Sequence, residues 1–305
     1  MKRILIAGTG GVGGYVGAQL IRHTDTEVAF LARGAHLEAI QTNGLIVHDN
    51  DTTYTVHPHT ATDDTTGLGT FDLILVAVKA TSLETTLRQI ATNVAPHTVI
   101  LPLLNGVGHD RTIRTHFPDA TVLDGHIYIL SNLTAPGTLR RRGEVLRIVW
   151  GSKEAIDPHH VIEHLTALLD TAHIRHKYAQ DIQLASWRKY LFIASFAALT
   201  SYHTKPMDQV LSDHPDELNA LLHEIVSVGR AEGIPLTPDD ITTALTQASR
   251  VAPGAKTSLQ LDLEQNKPAE TEALCGTIVH LGHQHGIPTP VMERIYRALT
   301  DRPLT

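Results

Sequence analysis

Apolar and polar positions follow two periods along the first half of the chain. Residues 4–7, Ile-Leu-Ile-Ala, form a continuous apolar run, as in a strand buried on both faces. A glycine-rich stretch follows, then apolar positions at helical spacing over 12–23. The alternation repeats as strand 28–31, helix 35–42 closed by Asn43-Gly44, and a hairpin of 45–48 with 54–57. It continues as strand 73–78, helix 82–95 and strand 98–104, which ends at Asn105-Gly106-Val107-Gly108. Strand-like alternation with turns at Pro136-Gly137 and Arg142-Gly143-Glu144 fills 121–150. After Gly151 helical periodicity dominates, over 158–172, 181–200, 215–232, 238–249 and 269–285, and again after Pro290. Strands alternating with helices predict a doubly wound α/β sheet that binds ligands at the carboxyl ends of its strands.

The first strand–helix turn carries candidate chemistry. Gly8, Gly10 and Gly13 have the G-x-G-x-x-G spacing, after a strand and before a helix. The first glycine allows the tight turn, the second lets backbone N–H groups approach a pyrophosphate, and the third lets helix and strand pack closely. Residues Gly8, Thr9, Gly10, Gly11, Val12 and Gly13 are therefore the expected dinucleotide site. In an NAD site a carboxylate ends the second strand; here the strand runs into Ala32-Arg33-Gly34. Arg33 could meet a 2′-phosphate with its planar fork, which favours NADP(H) over NAD(H). Lys79, after strand 73–78, is either a second cation for the cofactor or a solvated lysine opening a helix. The expected organisation is an α/β chain: an N-terminal NADP-binding Rossmann-type domain over 1–180, then an all-helical C-terminal domain over 181–305 for substrate and dimerisation.

Composition removes several alternatives. A formal net charge of -7 leaves no electrostatic footprint for nucleic acid or an anionic membrane. Arg140-Arg141-Arg142 reads as a solvated hairpin edge. A single cysteine, Cys275, precludes an internal disulfide, and no charge-free apolar stretch reaches the ~18 residues of a spanning helix. The first strand begins at once, without a signal peptide, so a cytoplasmic location is the expectation. The 20 histidines are scattered and none sits in a metal-binding motif, so no metal is expected.

Lys189 interrupts an apolar helical run among Leu184, Ala185, Phe192 and Ile193. Such a lysine either snorkels or serves a cleft, where it could polarise a ketone and protonate the alkoxide formed by hydride addition. A later polar segment, 256–270, holds Ser258 and Glu270. Ser258 either caps a short helix or binds a substrate carboxylate. Glu270 either sits in the first turn of the helix from Ala269 or accepts from Lys189, substrate or cofactor.

The order Gly8–Gly13, Asn105-Gly106, Trp187-x-Lys189, Ser258-x-x-x-Asp262, Pro268-x-Glu270 and Gly276 resembles the ketopantoate reductase (2-dehydropantoate 2-reductase) family over essentially the whole chain. The resemblance implies NADPH-dependent reduction of 2-dehydropantoate to pantoate, towards pantothenate and coenzyme A, in a cleft between a Rossmann domain and a helical domain. It implies that Lys189 is catalytic, that Asn105 lies near nicotinamide and substrate, that Ser258 and Glu270 contact substrate and cofactor, and that Arg33 and Lys79 bind cofactor. The chain departs from the family at Ile193 and Ala197, where characterised members carry asparagines, and at Cys275, where they carry another. Ser195, Thr200 and Ser201 are the nearby residues that could restore polarity. The alternatives are an NADP-dependent dehydrogenase of another 2-oxo or 3-hydroxy acid, and a protein that senses NADP(H) without turnover. The expected partners are a small 2-oxo acid and a second copy of the chain.

Overall fold

The computed structural model describes residues 1–154, 156 and 158–301. Two compact units are present: residues 1–104 with 108–182, and residues 105–107 with 183–305. The last four positions of the expected helical domain, 302–305, lie outside the described residues.

The first unit begins with β1 (Arg3–Ala7), α1 (Gly11–His23), β2 (Glu27–Leu31), α2 (Gly34–Asn43), the hairpin β3 (Leu45–Asp49) and β4 (Thr52–Val56), and β5 (Thr60–Thr62). It continues with β6 (Leu73–Val76), α3 (Leu83–Gln89), β7 (Val99–Pro102), α4 (His109–His116), β8 (Thr121–Val122), β9 (Asp124–Ala135), β10 (Thr138–Gly151), α5 (His164–Thr171) and β11 (His176–Tyr178). One sheet is wholly parallel in the order β5-β2-β1-β6-β7-β8, the doubly wound arrangement. The second sheet runs β11-β10-β3-β4, with β9 antiparallel on β10.

Helix α1 packs against both sheets, and its glycines make that possible. A Cβ on Gly17 would lie 2.4 Å from the Phe30 ring on β2. One on Gly14 would lie 2.9 Å from Leu139 on β10. Every residue from Gly13 to Leu20 is buried. The opposite face of the parallel sheet is closed by Leu83 and Leu87 of α3 and Ile113 of α4.

Several elements differ from the sequence expectation. The helix expected over 82–95 is broken into α3 and two flanking 3-10 turns, Ala80–Ser82 and Ala91–Asn93. Asn93 ends it by donating its buried amide to the carbonyls of Thr65 (3.0 Å) and Gly69 (2.8 Å). Helix α4 was not expected, because Ile113 is its only apolar residue. The arginine triplet is not a uniformly solvated edge. Arg140 and Arg142 are exposed, but Arg141 is buried and donates to Asp49 at 2.9 Å. The other oxygen of Asp49 accepts from the Tyr15 hydroxyl at 2.8 Å, so this carboxylate joins α1 to the second sheet.

The second unit comprises α6 (Ile182–His203), α7 (Met207–Asp213), α8 (Pro215–Ala231), α9 (Pro238–Ala248), α10 (Ser258–Glu264), α11 (Thr277–His285) and α12 (Pro290–Thr300). Helix α6 is buried nearly all round, with Tyr190, Leu191, Ala194, Phe196 and Leu199 in a core shared with Leu221, Ile225 and Ile278. Among the described residues, no helix is long and apolar enough to cross a membrane.

Asp49→Ala strands the Arg141 guanidinium and the Tyr15 hydroxyl together. It is expected to destabilise the protein by about 2–3 kcal/mol, below the loss for a fully buried pair because both side chains keep some exposure. Urea denaturation measures it as a lower midpoint with an unchanged slope.

Candidate active site

Adjacent parallel strands β2, β1 and β6 end on one edge, and their carboxyl ends present Arg33, the glycine turn and Lys79 in that order. Gly8 has φ +100°, and a Cβ there would lie 2.6 Å from Val78 Cγ1. A Cβ on Gly13 would lie 2.0 Å from the Gly8 carbonyl oxygen, so only glycine lets α1 start this close to β1. Gly10 faces open space, with nothing within 4 Å of a Cβ. It is the N-cap of α1 without any side-chain cap, and the first turn, which includes Gly11 and Val12, carries no acidic residue. The unpaired N–H groups and the positive helix end are therefore available to an anion such as a pyrophosphate. Thr9 is buried, and its carbonyl bonds the imidazole of His36.

Arg33 is the exposed N-cap residue of α2, and its Nη2 donates to Gln89 Oε1 at 2.6 Å. This bond aligns the guanidinium at the strand edge, a role for Gln89 that no local pattern announces. Lys79 is exposed and precedes the 3-10 turn, its carbonyl accepting from Ser82 N at 2.8 Å.

In the helical unit, Lys189 is 9% exposed and its Nζ donates to Asn105 Oδ1 at 3.3 Å. Burial pushes its ammonium down to about 8, while the Glu270 carboxylate pulls the other way. Three expected site residues, Asn105, Lys189 and Glu270, thus act on one another. Ser258 is exposed and begins α10, but it is not the cap. Thr257 accepts from Gln260 N at 3.3 Å and takes that role, so the capping alternative for Ser258 falls away. Glu270 also stands just ahead of its helix and not within its first turn. That helix opens with a π turn, Glu272–Gly276, and the Tyr190 hydroxyl donates to the Ala273 (3.1 Å) and Leu274 (3.2 Å) carbonyls there.

Ala197 is buried and Ile193 half-buried on the helix that carries Lys189. Ser195 donates into its own helix, to the Leu191 carbonyl at 2.8 Å, and Thr200 bonds Thr257 at 2.8 Å. Cys275 is fully buried, which pushes its thiol up to about 12.

Among the described residues, His203, His214 and Glu217 bring ligand atoms within 4.8 Å of one another. Lys205 donates to Asp213 and His214, and Arg294 to Glu217, so two cations already balance the two carboxylates. The two imidazoles stack at 3.7 Å with a 13° interplanar angle, and His203 Nε2 bonds Glu217 Oε2 at 2.6 Å. The cluster is an ion-pair lattice joining α6, α8 and α12.

Glu270→Gln removes the charge that supports the Lys189 ammonium. Its ionisation midpoint is expected to fall below about 8, as read from the pH dependence of the lysine 15Nζ resonance.

Comparison with known proteins agrees with this architecture. A profile described as "Ketopantoate reductase PanE/ApbA" matches residues 4–154, and its C-terminal counterpart matches residues 181–302. The chain is 28% identical over 301 residues to an uncharacterised oxidoreductase, YkpB, of Bacillus subtilis (strain 168), covering 97% of each. It is also 28% identical over 303 residues to a 2-dehydropantoate 2-reductase of Streptococcus pyogenes serotype M18, covering 96% of this chain and 95% of that one. The crystal structure of 2-dehydropantoate 2-reductase from Porphyromonas gingivalis W83 superposes with a TM-score of 0.86 at 30% identity, over 98% of this chain and 99% of that one. With both of its domain profiles matched in order, this chain belongs to the ketopantoate reductase family of oxidoreductases.

Proposed function

We propose that the protein reduces a 2-oxo acid to its 2-hydroxy acid with NADPH, and that 2-dehydropantoate, which yields pantoate for pantothenate and coenzyme A synthesis, is the first substrate to test. The observation that carries this reading is Lys189, a nearly buried ammonium whose proton is held loosely enough to be given away at neutral pH. The glycine turn and the uncapped end of α1 fit a pyrophosphate, and Arg33 and Lys79 fit the phosphates of NADP(H). When bound, the nicotinamide supplies hydride to the ketone carbon. Lys189 polarises the ketone oxygen and then transfers its proton to the alkoxide. Asn105 Oδ1 accepts one ammonium hydrogen and fixes the direction of Nζ. Glu270 keeps the lysine charged and accepts from a substrate or cofactor hydroxyl, and the exposed Ser258 hydroxyl takes the substrate carboxylate. Self-association as a homodimer belongs to the same reading.

A second reading, a 2-oxo acid less polar than ketopantoate, is favoured by Ile193 and Ala197 and by the inward bonds of Ser195. The two are separated by comparing ketopantoate with 3,3-dimethyl-2-oxobutanoate, which lacks only the hydroxyl. A site built around that hydroxyl rejects the plainer acid by about 10⁴-fold in kcat/KM, whereas an apolar wall discriminates by about 10²-fold or less.

Lys189→Ala is expected to lower kcat by about 10²–10⁴-fold while NADPH still binds, and wild-type turnover in that variant would refute the catalytic role. The reduction rate of the intact enzyme should fall as pH rises through about 8, where Lys189 loses its proton. Arg33→Ala should weaken NADPH and leave NADH unchanged; equal behaviour of both nucleotides in wild type and variant would remove the NADP(H) assignment.

A further inference from the structure

His36, the partner of the Thr9 carbonyl, stands in the first turn of α2. Its Nδ1 accepts from the Gly137 N–H at 2.9 Å, and its Nε2 meets the Thr9 carbonyl at 2.9 Å. Gly137 is the turn between β9 and β10, and Thr9 lies inside the glycine turn. A backbone N–H can only donate and a carbonyl can only accept. The imidazole must therefore be neutral, with its hydrogen on Nε2. Burial favours that form, holding the imidazole below its ordinary value against the opposing pull of the Thr9 carbonyl.

The bond to Thr9 has a directional consequence. In a planar trans peptide, C=O and N–H point opposite ways. Anchoring the Thr9 carbonyl on His36 therefore turns the Gly10 N–H away from α2, in the turn that offers its N–H groups to an anion. The hairpin side of the clasp is equally constrained. Gly137 has φ +67°, and a Cβ there would lie 2.7 Å from Ala39 Cβ on α2. On the other flank, a Cβ on Gly11 would lie 2.3 Å from the Ser131 carbonyl oxygen on β9. The glycine turn is thus held between α2 and the β9–β10 hairpin before any nucleotide arrives.

We propose that His36 is a positioning residue for the cofactor: as a neutral Nε2–H imidazole it clasps the Thr9 carbonyl to the β9–β10 turn and presets the Gly10 N–H for a dinucleotide pyrophosphate. This rests on the reading that the glycine turn binds NADP(H). Because the pyrophosphate is common to both nucleotides, the clasp acts on NADPH and NADH alike.

The test titrates NADPH and NADH by cofactor fluorescence against wild type, His36→Leu and His36→Gln, with Tm for each. Glutamine retains one donor and one acceptor; leucine retains neither. His36→Leu is expected to weaken both nucleotides about tenfold and by the same factor, with His36→Gln recovering most of the loss at a Tm close to that of His36→Leu. In cofactor-free wild type, 15N-histidine NMR is expected to show the Nε2–H tautomer for His36. Unchanged Kd values in His36→Leu overturn the proposal. So does a loss confined to NADPH, which would mean direct contact with the 2′-phosphate, and so does an Nδ1–H tautomer. Failure of the wild-type protein to bind either nucleotide sinks the NADP(H) reading itself, whereas wild-type binding with an unmoved His36→Leu sinks this inference alone.

Discussion

The first unit depends on one packing constraint, the confinement of α1 between two sheets. Glycine inside a helix costs about 0.5–1 kcal/mol relative to alanine, and α1 contains Gly13, Gly14 and Gly17 within five residues. The cost is offset because the missing side chains let the helix approach Phe30 on one side and Leu139 on the other. The same closeness fixes where α1 begins. Gly13 against the Gly8 carbonyl leaves the turn a single path, and that path ends in an uncapped helix terminus. The packing of the core and the shape of the glycine turn are one solution to one steric problem.

The second unit solves an electrostatic problem. An ammonium in an apolar helix is stable only if something compensates for its lost hydration. Here the compensation includes an amide oxygen from Asn105 and the carboxylate of Glu270. Burial and the carboxylate act in opposite directions, and burial wins, so the ammonium is held at about 8. The π turn after Thr271, fastened by the Tyr190 hydroxyl, ties the segment following Glu270 to the helix that carries Lys189.

Much of this was legible in the sequence because it is written locally. Strands β1, β2, β6 and β7 are short apolar runs, and the glycine spacing declares its turn without reference to distant residues. Lys189 was visible as a charge at odds with its neighbours. What escaped detection depends on partners far along the chain. His36 bonds residues 27 and 101 positions away, and Lys189 finds Asn105 across 84. Arg141 looks like its two exposed neighbours until Asp49, 92 positions earlier, is folded beside it. Helix α4 escaped because Ile113 alone cannot mark a period, and the sequence left capping open for Ser258 because Thr257 beside it has the same hydroxyl chemistry.

Cys275 gives the protein a built-in reporter. Thiol reagents attack the thiolate, and a fully buried thiol pushed up to about 12 offers almost none at neutral pH. The sequence has no other cysteine, so the labelling rate of the native protein measures one event, the opening of the helical core around α11. This one side chain thereby makes the local breathing of the second unit countable against a background free of competing thiols.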